Sequence, residues 1–540
     1  MASFLLSECL EEIFSNLTEY PSSDININIT VKDLYSCTLV SRHWCRISTP
    51  LLYAYPFHHF RRNFSHIRYY KLIRTLLGCI PQFEIKQTYK QALQIPYNIK
   101  NYKKKSNSKN ISSTFNYISF IRGLIFHKMM FKSIVEDNNK EIWLSAYNPK
   151  RISEVSTIAI MDYLIKFICK NCNNLTTLEF SFAIRNDDCI INLLTVKDYN
   201  GKSKLSDLKE LYYSSQINFY SRDDKNNSRE IFYPLNNVFN LNLLYVNKDG
   251  LNAENINLLS KFISLQKNLQ HFVLTGFEKV ENGQNEVLAR FFINLLSGDK
   301  NNKYYNTIIN SLSTQYESLQ ILEFKNLEFN LINGEVLDSL RLLKNIKKLK
   351  LYRCKMIDNL HSWVKDLKKL EIFEIMIIDL KLSELFIIQL VQLIQSFSNN
   401  LIKLVINDKQ MNDFTLLYQQ IPLYLHSLTH LELPKILPSE LISIFLSCTK
   451  LVYLSVMLLN DKLSEEILKN LGKFVPKTLK RIQFKNLLES NNSTISFELL
   501  RFFLEEYANN GGALKYLEIE GLGNHIIVTE QFGVQIIEYF

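Results

Sequence analysis

The pattern Leu-x-x-Leu-x-Leu, with Ile, Val or Phe also admitted at the apolar sites, recurs twelve times in order along this 540-residue chain. Its copies start at Leu175, Leu208, Leu241, Leu269, Leu319, Ile346, Leu370, Leu401, Leu428, Leu451, Leu479 and Leu514. Successive starts lie 33, 33, 28, 50, 27, 24, 31, 27, 23, 28 and 35 residues apart, the longer intervals holding polar insertions. A single copy in a Leu-rich chain carries no information. Twelve in register exclude one compact core and predict a stack of similar units, each too small to bury its apolar face alone. Ile121 (IRGLIF) reads as an earlier, capping copy. The Leu208 copy is the poorest, with Tyr213 at its third apolar site.

The last two apolar positions of each unit flank one outward residue, which is strand periodicity. Between strands the spacing changes to helical, as in Leu385-Phe386-x-x-Gln389-Leu390-x-x-Leu393. Strand, turn and helix at this period are the leucine-rich repeat. The predicted fold is α/β: a leucine-rich-repeat horseshoe over 116–540, with a concave parallel sheet and helices on the convex side. Cys172 and Cys448 each stand three residues before a repeat start, which resembles the cysteine-containing class of these repeats. Cys169-x-x-Cys172 is then read as repeat core. One such pair without a second is a poor zinc site, so no metal or other cofactor is expected.

The residue between the last two apolar positions is expected on the concave face. In order these are Glu179, Tyr212, Tyr245, Val273, Glu323, Lys350, Glu374, Val405, Glu432, Ser455, Gln483 and Glu518. Two residues earlier in their units stand His271, Lys348, Lys403, His430, Tyr453, Arg481 and Tyr516. Acidic, basic and aromatic side chains mix on this face, as on a surface that reads a protein by charge and aromatic anchors. The binding candidates are Glu179, Tyr212, Tyr245, His271, Glu323, Lys350, Glu374, Glu432, Tyr453, Arg481 and Tyr516. The competing reading is that Glu merely suits an exposed strand.

The N-terminus follows a different rule. Leu10, Ile13, Phe14 and Leu17 lie at helical spacing behind a possible Ser7 cap, with Glu8 and Glu11 in the first turns. A polar stretch from Glu19 to Thr30 breaks that pattern. Asp33 can cap a second helix carrying Leu34, Cys37, Val40 and Trp44, and Pro50 marks an end or a kink. A helical module over 1–57 is expected, then a helical and basic linker over 58–115, helical around Ile67 to Leu77.

Leu5-Leu6-x-Glu8-Cys9-Leu10-x-x-Ile13-Phe14-x-x-Leu17, followed by Asp33-Leu34-x-x-Cys37-x-Leu39-Val40-Ser41-Arg42-x-Trp44, resembles an F-box. Ile47-Ser48-x-Pro50-Leu51-Leu52-Tyr53 continues the likeness. The chain departs from the family at Leu6, where Pro is usual, at Tyr53, where Trp is frequent, and in a longer first loop. The resemblance implies docking to the Skp-type adaptor of cullin ubiquitin ligases. It implies contacts drawn from Leu5, Leu6, Leu10, Ile13, Leu17, Leu34, Val40 and Trp44, some of which must instead hold the module together. It also implies a non-catalytic substrate receptor whose repeats hold an unknown protein target. The alternative is a protein-interaction scaffold with a degenerate F-box.

Composition narrows the remaining classes. A net charge of +10 is mild for this length and fits a Lys-rich protein. A nucleic-acid partner is not expected, because the Glu-bearing column opposes a basic stripe with interleaved aromatics. The run Lys103-Lys104-Lys105 reads as a solvated loop. Glu8, Glu11 and Glu12 interrupt any signal-peptide core, and no run of 18 apolar residues predicts a membrane span. Nine cysteines without a framework fit a reducing compartment, cytoplasm or nucleus. No phosphate loop, dinucleotide fingerprint, HExxH or GxSxG is present.

Overall fold

A computed structural model of the chain describes residues 6–16, 27–57, 60, 66–81, 84, 115–127, 154–172, 175–182, 205–215, 238, 240–247, 253–276, 304–355, 357, 359–377, 384–397, 400–408, 412–458, 465–485, 497–519 and 534–536. The chain divides into two compact units, Met1–Lys267 and Asn268–Phe540. The first holds helices α1 (Ser7–Asn16), α2 (Ile27–Thr38), α3 (Arg42–Leu52) and α4 (His66–Leu77). Strands β1 (Gly123–His127), β2 (Thr177–Phe182), β3 (Glu210–Ser215) and β4 (Leu243–Asn247) follow, with α5 (Glu154–Asn171) and α6 (Ala253–Ser264). Among its described residues the second unit holds ten strands: β5 (His271–Thr275), β6 (Ile321–Lys325), β7 (Lys348–Tyr352), β8 (Ile372–Ile377), β9 (Lys403–Asp408), β10 (His430–Ile436), β11 (Tyr453–Leu458), β12 (Arg481–Phe484), β13 (Tyr516–Ile519) and β14 (Gln535–Ile536).

Within each unit, neighbouring strands pair in parallel and in sequence order. The first residue of every predicted repeat is buried, from Ile121 and Leu175 to Leu479 and Leu514. So is the second, from Leu178 to Leu517. Strands β8 and β9 alternate strictly between half-exposed and buried side chains, so one face is open and the other is core. Each fully buried Leu or Ile contributes roughly 1.5–3 kcal/mol, so neighbouring repeats stabilise one another through these columns.

The chain links one repeat to the next by a recurring hydrogen-bond fork. The carbonyl just ahead of each strand accepts two backbone N–H groups from the next repeat. Gln320 O receives Lys347 N and Lys348 N at 2.8 and 3.0 Å, and Lys347 O receives Glu371 N and Ile372 N at 2.8 and 2.9 Å. The first unit repeats the fork at Arg122, Thr176 and Lys209. The Ile121 copy is therefore a full strand, β1. One further strand, β14, carries no Leu-x-x-Leu-x-Leu and was not legible from the pattern.

Behind the core face run the helices. In Glu384–Phe397 the buried residues Phe386, Leu390, Leu393 and Phe397 keep the helical period, while Leu385 points outward. Cys172 and Cys448 are buried as the repeat reading requires, Cys448 Sγ donating to Leu425 O at 3.4 Å.

The N-terminal helices differ in detail from expectation. Helix α2 begins at Ile27, so the polar stretch is already helical at its end and Asp33 lies inside the helix rather than capping it. The chain leaves α2 at Leu39–Val40. Ser41 then caps α3, accepting from Trp44 N at 3.1 Å, so Trp44 belongs to the third helix and not to the second. Pro50 lies inside α3, which ends two residues later at Leu52. Leu10, Phe14 and Leu34 form the module's core, with Cys37, Trp44, Ile47, Leu51 and Leu52 packed around it.

The module joins the repeats through the main chain. Ala54 O accepts from Arg122 N and Gly123 N at 2.8 and 3.0 Å, the same fork that Arg122 O offers Thr176 N and Thr177 N. Ala54 thus gives β1 the neighbour that an edge strand lacks. Tyr53 lies against Tyr117, ring centroids 4.3 Å apart. Helix α4 covers the start of the sheet, with Tyr69 and Ile73 beside Leu124, Ile125, Leu164 and Ile168.

Candidate protein-binding face

Parallel register brings the outward residues of the second unit into rows. One row runs His271, Ile321, Lys348, Ile372, Lys403, His430, Tyr453, Arg481, Tyr516 across successive strands. The row beside it runs Val273, Glu323, Lys350, Glu374, Val405, Glu432, Ser455, Gln483, Glu518. All the acidic side chains of these two rows stand in the second row, and most of the basic ones in the first.

Side chains of the two rows pair with one another. Glu323, 6% exposed, has His271 Nε2 at 3.2 Å, Lys325 Nζ at 3.4 Å and Lys350 Nζ at 3.6 Å. Burial alone would raise its pKa. The contact from His271 and the charges of Lys350 and Lys325 outweigh burial and hold the carboxyl at about 2. Lys350 also reaches Glu374 at 3.2 Å, and Glu374 meets Lys403 at 3.1 Å. Burial likewise opposes ionisation of Glu374, and Lys350, Lys403 and Lys348 bring its pKa down.

A second cluster covers β10–β13. His430 Nε2 lies 2.9 Å from Glu432 Oε1, and Lys485 Nζ lies 3.9 Å from Glu432 Oε2. The Tyr453 ring stacks on His430 at 4.1 Å and 18°, while the Arg481 guanidinium lies 5.3 Å from its centroid. Tyr453 thus has His430 and Arg481, residues of its two flanking strands, against its ring. Its hydroxyl donates to Gln483 Oε1 at 3.1 Å, which also accepts from Ser455 Oγ at 2.6 Å. Arg481 forms an ion pair with Glu518, which is 1% exposed.

The structure therefore brings His271, Glu323, Lys350 and Glu374 together in one network and Glu432, Tyr453 and Arg481 in another, with Tyr516 beside Arg481 in register. In the first unit Glu179, Tyr212 and Tyr245 share one row, the two tyrosine rings 5.9 Å apart. Sequence reasoning took the glutamates as available charges. Their partners Lys325, Lys403 and Lys485 were outside the candidate set, although the two-residue strand period placed them on the same face. Glu518 was expected outward and is on the open row, yet it is covered.

The candidate adaptor contacts separate cleanly. Of the candidates, Leu10 and Leu34 are among those that hold the module together: they are 0% and 3% exposed. Trp44 is half-buried edge-on against Phe14, 5.2 Å between centroids, and serves the same core. Leu6 (68%), Ile13 (48%) and Val40 (58%) are exposed, as are Tyr35 and Leu39. Leu5, Leu17 and the run Lys103–Lys105 lie outside the described residues.

No family model matches the chain, and no curated protein matches it. Among solved structures it is similar to the leucine-rich repeat-containing protein LegL7 of Legionella pneumophila, at 12% identity and a TM-score of 0.32, over 61% of this chain and 98% of that one. It is also similar to an internalin of Listeria monocytogenes, at 14% identity and a TM-score of 0.29, over 66% of this chain and 91% of that one. Both units are built of leucine-rich repeats. That assignment rests on the strand register and the repeated carbonyl forks described above. Among the described residues no helix is long and apolar enough to cross a membrane.

Proposed function

We propose that the chain is the substrate receptor of a Skp–cullin–F-box ubiquitin ligase. Its N-terminal helices dock the adaptor, and its repeats hold a protein target on the open strand face. Ligase chemistry belongs to the partners, and this chain supplies proximity without catalysis. The observation that supports the docking half is the sorting of apolar residues in the N-terminal module. Leu10, Phe14 and Leu34 complete a small core, and five further large apolar side chains remain exposed. Leu6 stands just ahead of α1, its carbonyl accepting from Leu10 N at 3.1 Å, seven residues before Ile13; Tyr35 lies in the last turn of α2 and Leu39 just past its end. A module this small does not need that surface for its own stability, and exposed apolar clusters mark interaction sites.

Co-purification of the full chain with a Skp-type adaptor tests the reading. Leu6→Asp, Ile13→Asp and Val40→Asp should abolish the complex while leaving the fold intact. Leu10→Asp and Trp44→Ala are unsuitable probes, because they disrupt the module's core. Failure of the unmutated chain to bind overturns the ligase reading and leaves an interaction scaffold with a degenerate F-box.

A further inference from the structure

We propose that Lys348, with Lys350 and Lys403, forms a seat for an anionic side chain of the bound protein, so that the second unit selects an acidic segment. The inference deepens the reading that the open face holds a protein. Lys325, Lys348, Lys350 and Lys403 on β6, β7 and β9 stand among Glu323 and Glu374, with Glu432 beside Lys403 and already paired with His430 and Lys485. Glu323 and Glu374 are already engaged, Glu323 by Lys325, Lys350 and the His271 ring and Glu374 by Lys350 and Lys403. Among the described residues Lys348 has no carboxylate within 4.0 Å, although it is half-buried between its row neighbours Ile321 and Ile372. Burial, and then the charge of Lys350, push the Lys348 pKa down, while Glu374 attracts it only from farther away. A cation held in that position is relieved by an incoming anion. Charge-assisted hydrogen bonds from ammonium groups to carboxylate or phosphoryl oxygens are the strong ones.

The residues one position ahead of this row, Lys347, Glu371, Ile402, Thr429, Val452, Lys480 and Lys515, carry three lysines against one glutamate, with Ile402 and Val452 exposed among them. An acidic segment bearing apolar side chains fits such a strip. A single-stranded nucleic acid fits less well. It would need open aromatic faces for base stacking, and the Tyr453 ring already has His430 and Arg481 against it.

Fluorescence anisotropy of labelled oligoglutamate with the full chain tests the seat. Binding is expected, weakened on the order of tenfold by Lys348→Met and retained by Lys348→Arg, as for loss of one charge-assisted contact. A phosphoserine peptide that binds tighter than oligoglutamate assigns the seat to phosphoryl groups, still an anion seat. In the unmutated protein, acylation of the Lys348 amine should slow when oligoglutamate is added, a readout that needs no variant to fold. Equal binding by Lys348→Met, unprotected acylation, absence of binding, or tighter binding of oligouridylate overturns the proposal. The adaptor co-purification reads the N-terminal helices only, so either experiment can fail without the other.

Discussion

Replacing Glu323 by Gln removes one negative charge from beneath two lysines and the His271 ring. The carboxyl is held at about 2 against an ordinary value of 4.5. Its side chain is only 8% exposed, so solvent screening removes little of the effect. The difference corresponds to about 3 kcal/mol of stability favouring the ionised, folded form. The sign follows from the depressed value. The contribution is complete above about pH 5 and is lost as pH falls from there toward 2. A repeat array opens locally, so the loss is to be read on β5–β7 rather than from one global transition. Hydrogen exchange of the amides in 268–355 should accelerate on the order of 100-fold in Glu323→Gln at pH 7. The gap between variant and unmutated protein should narrow as pH falls below about 4. A change under about fivefold at pH 7, or a gap independent of pH, would show that the network is a solvated surface and refute the argument.

Other substitutions test other parts of the fold. A Cβ at Gly276 would lie 2.3 Å from Asn326 O, so Gly276→Ala should cost about 1–3 kcal/mol and lower the thermal midpoint; an unchanged midpoint would contradict that close approach. Trp44→Ala should loosen α1–α3 by about 2–3 kcal/mol through loss of its contact with Phe14, seen as faster exchange across 7–52. Burial pushes the Cys448 thiol up to about 12, so native alkylation at pH 8 should spare Cys448 and modify exposed Cys9. Tyr507→Phe removes the hydroxyl that donates to Leu479 O at 2.7 Å and should cost about 1 kcal/mol by denaturant melting.

Period-two alternation was legible wherever the repeat was regular. Leu319-x-x-Leu322-x-Phe324 states its own strand, because an apolar residue at each inward site leaves only one register that buries all of them. β14 escaped because a two-residue strand has no room for the pattern. The fork from Ala54 escaped for a different reason: backbone carbonyls carry no side-chain signature, so nothing in the sequence marks the end of the 1–57 module as the partner of β1. In the module, Val40 and Trp44 fit helical spacing with Leu34 although a turn at Leu39–Val40 separates them. Periodicity detects faces, not breaks, and the break is set by Ser41 taking the Trp44 N–H. The same limit hid the division between contact and core: Leu10 and Ile13 are equally apolar in sequence and opposite in burial.

Counting charges down one column does not give the sign of the open face. Five of the twelve residues expected in the central column are glutamates, and the basic residues stand mostly in the row beside it. Once adjacent strands are in register, each of Glu323, Glu374, Glu432 and Glu518 stands next to a basic residue of the neighbouring row or strand. The acids become internal counterions, and the cations they leave uncompensated set the field that a partner meets. Lys348 is the clearest case because the carboxylates that act on it, Glu374 and Glu323, are already engaged. In a stacked-repeat sheet the charge offered to a partner is therefore a difference between rows, and two residues of register decide its sign.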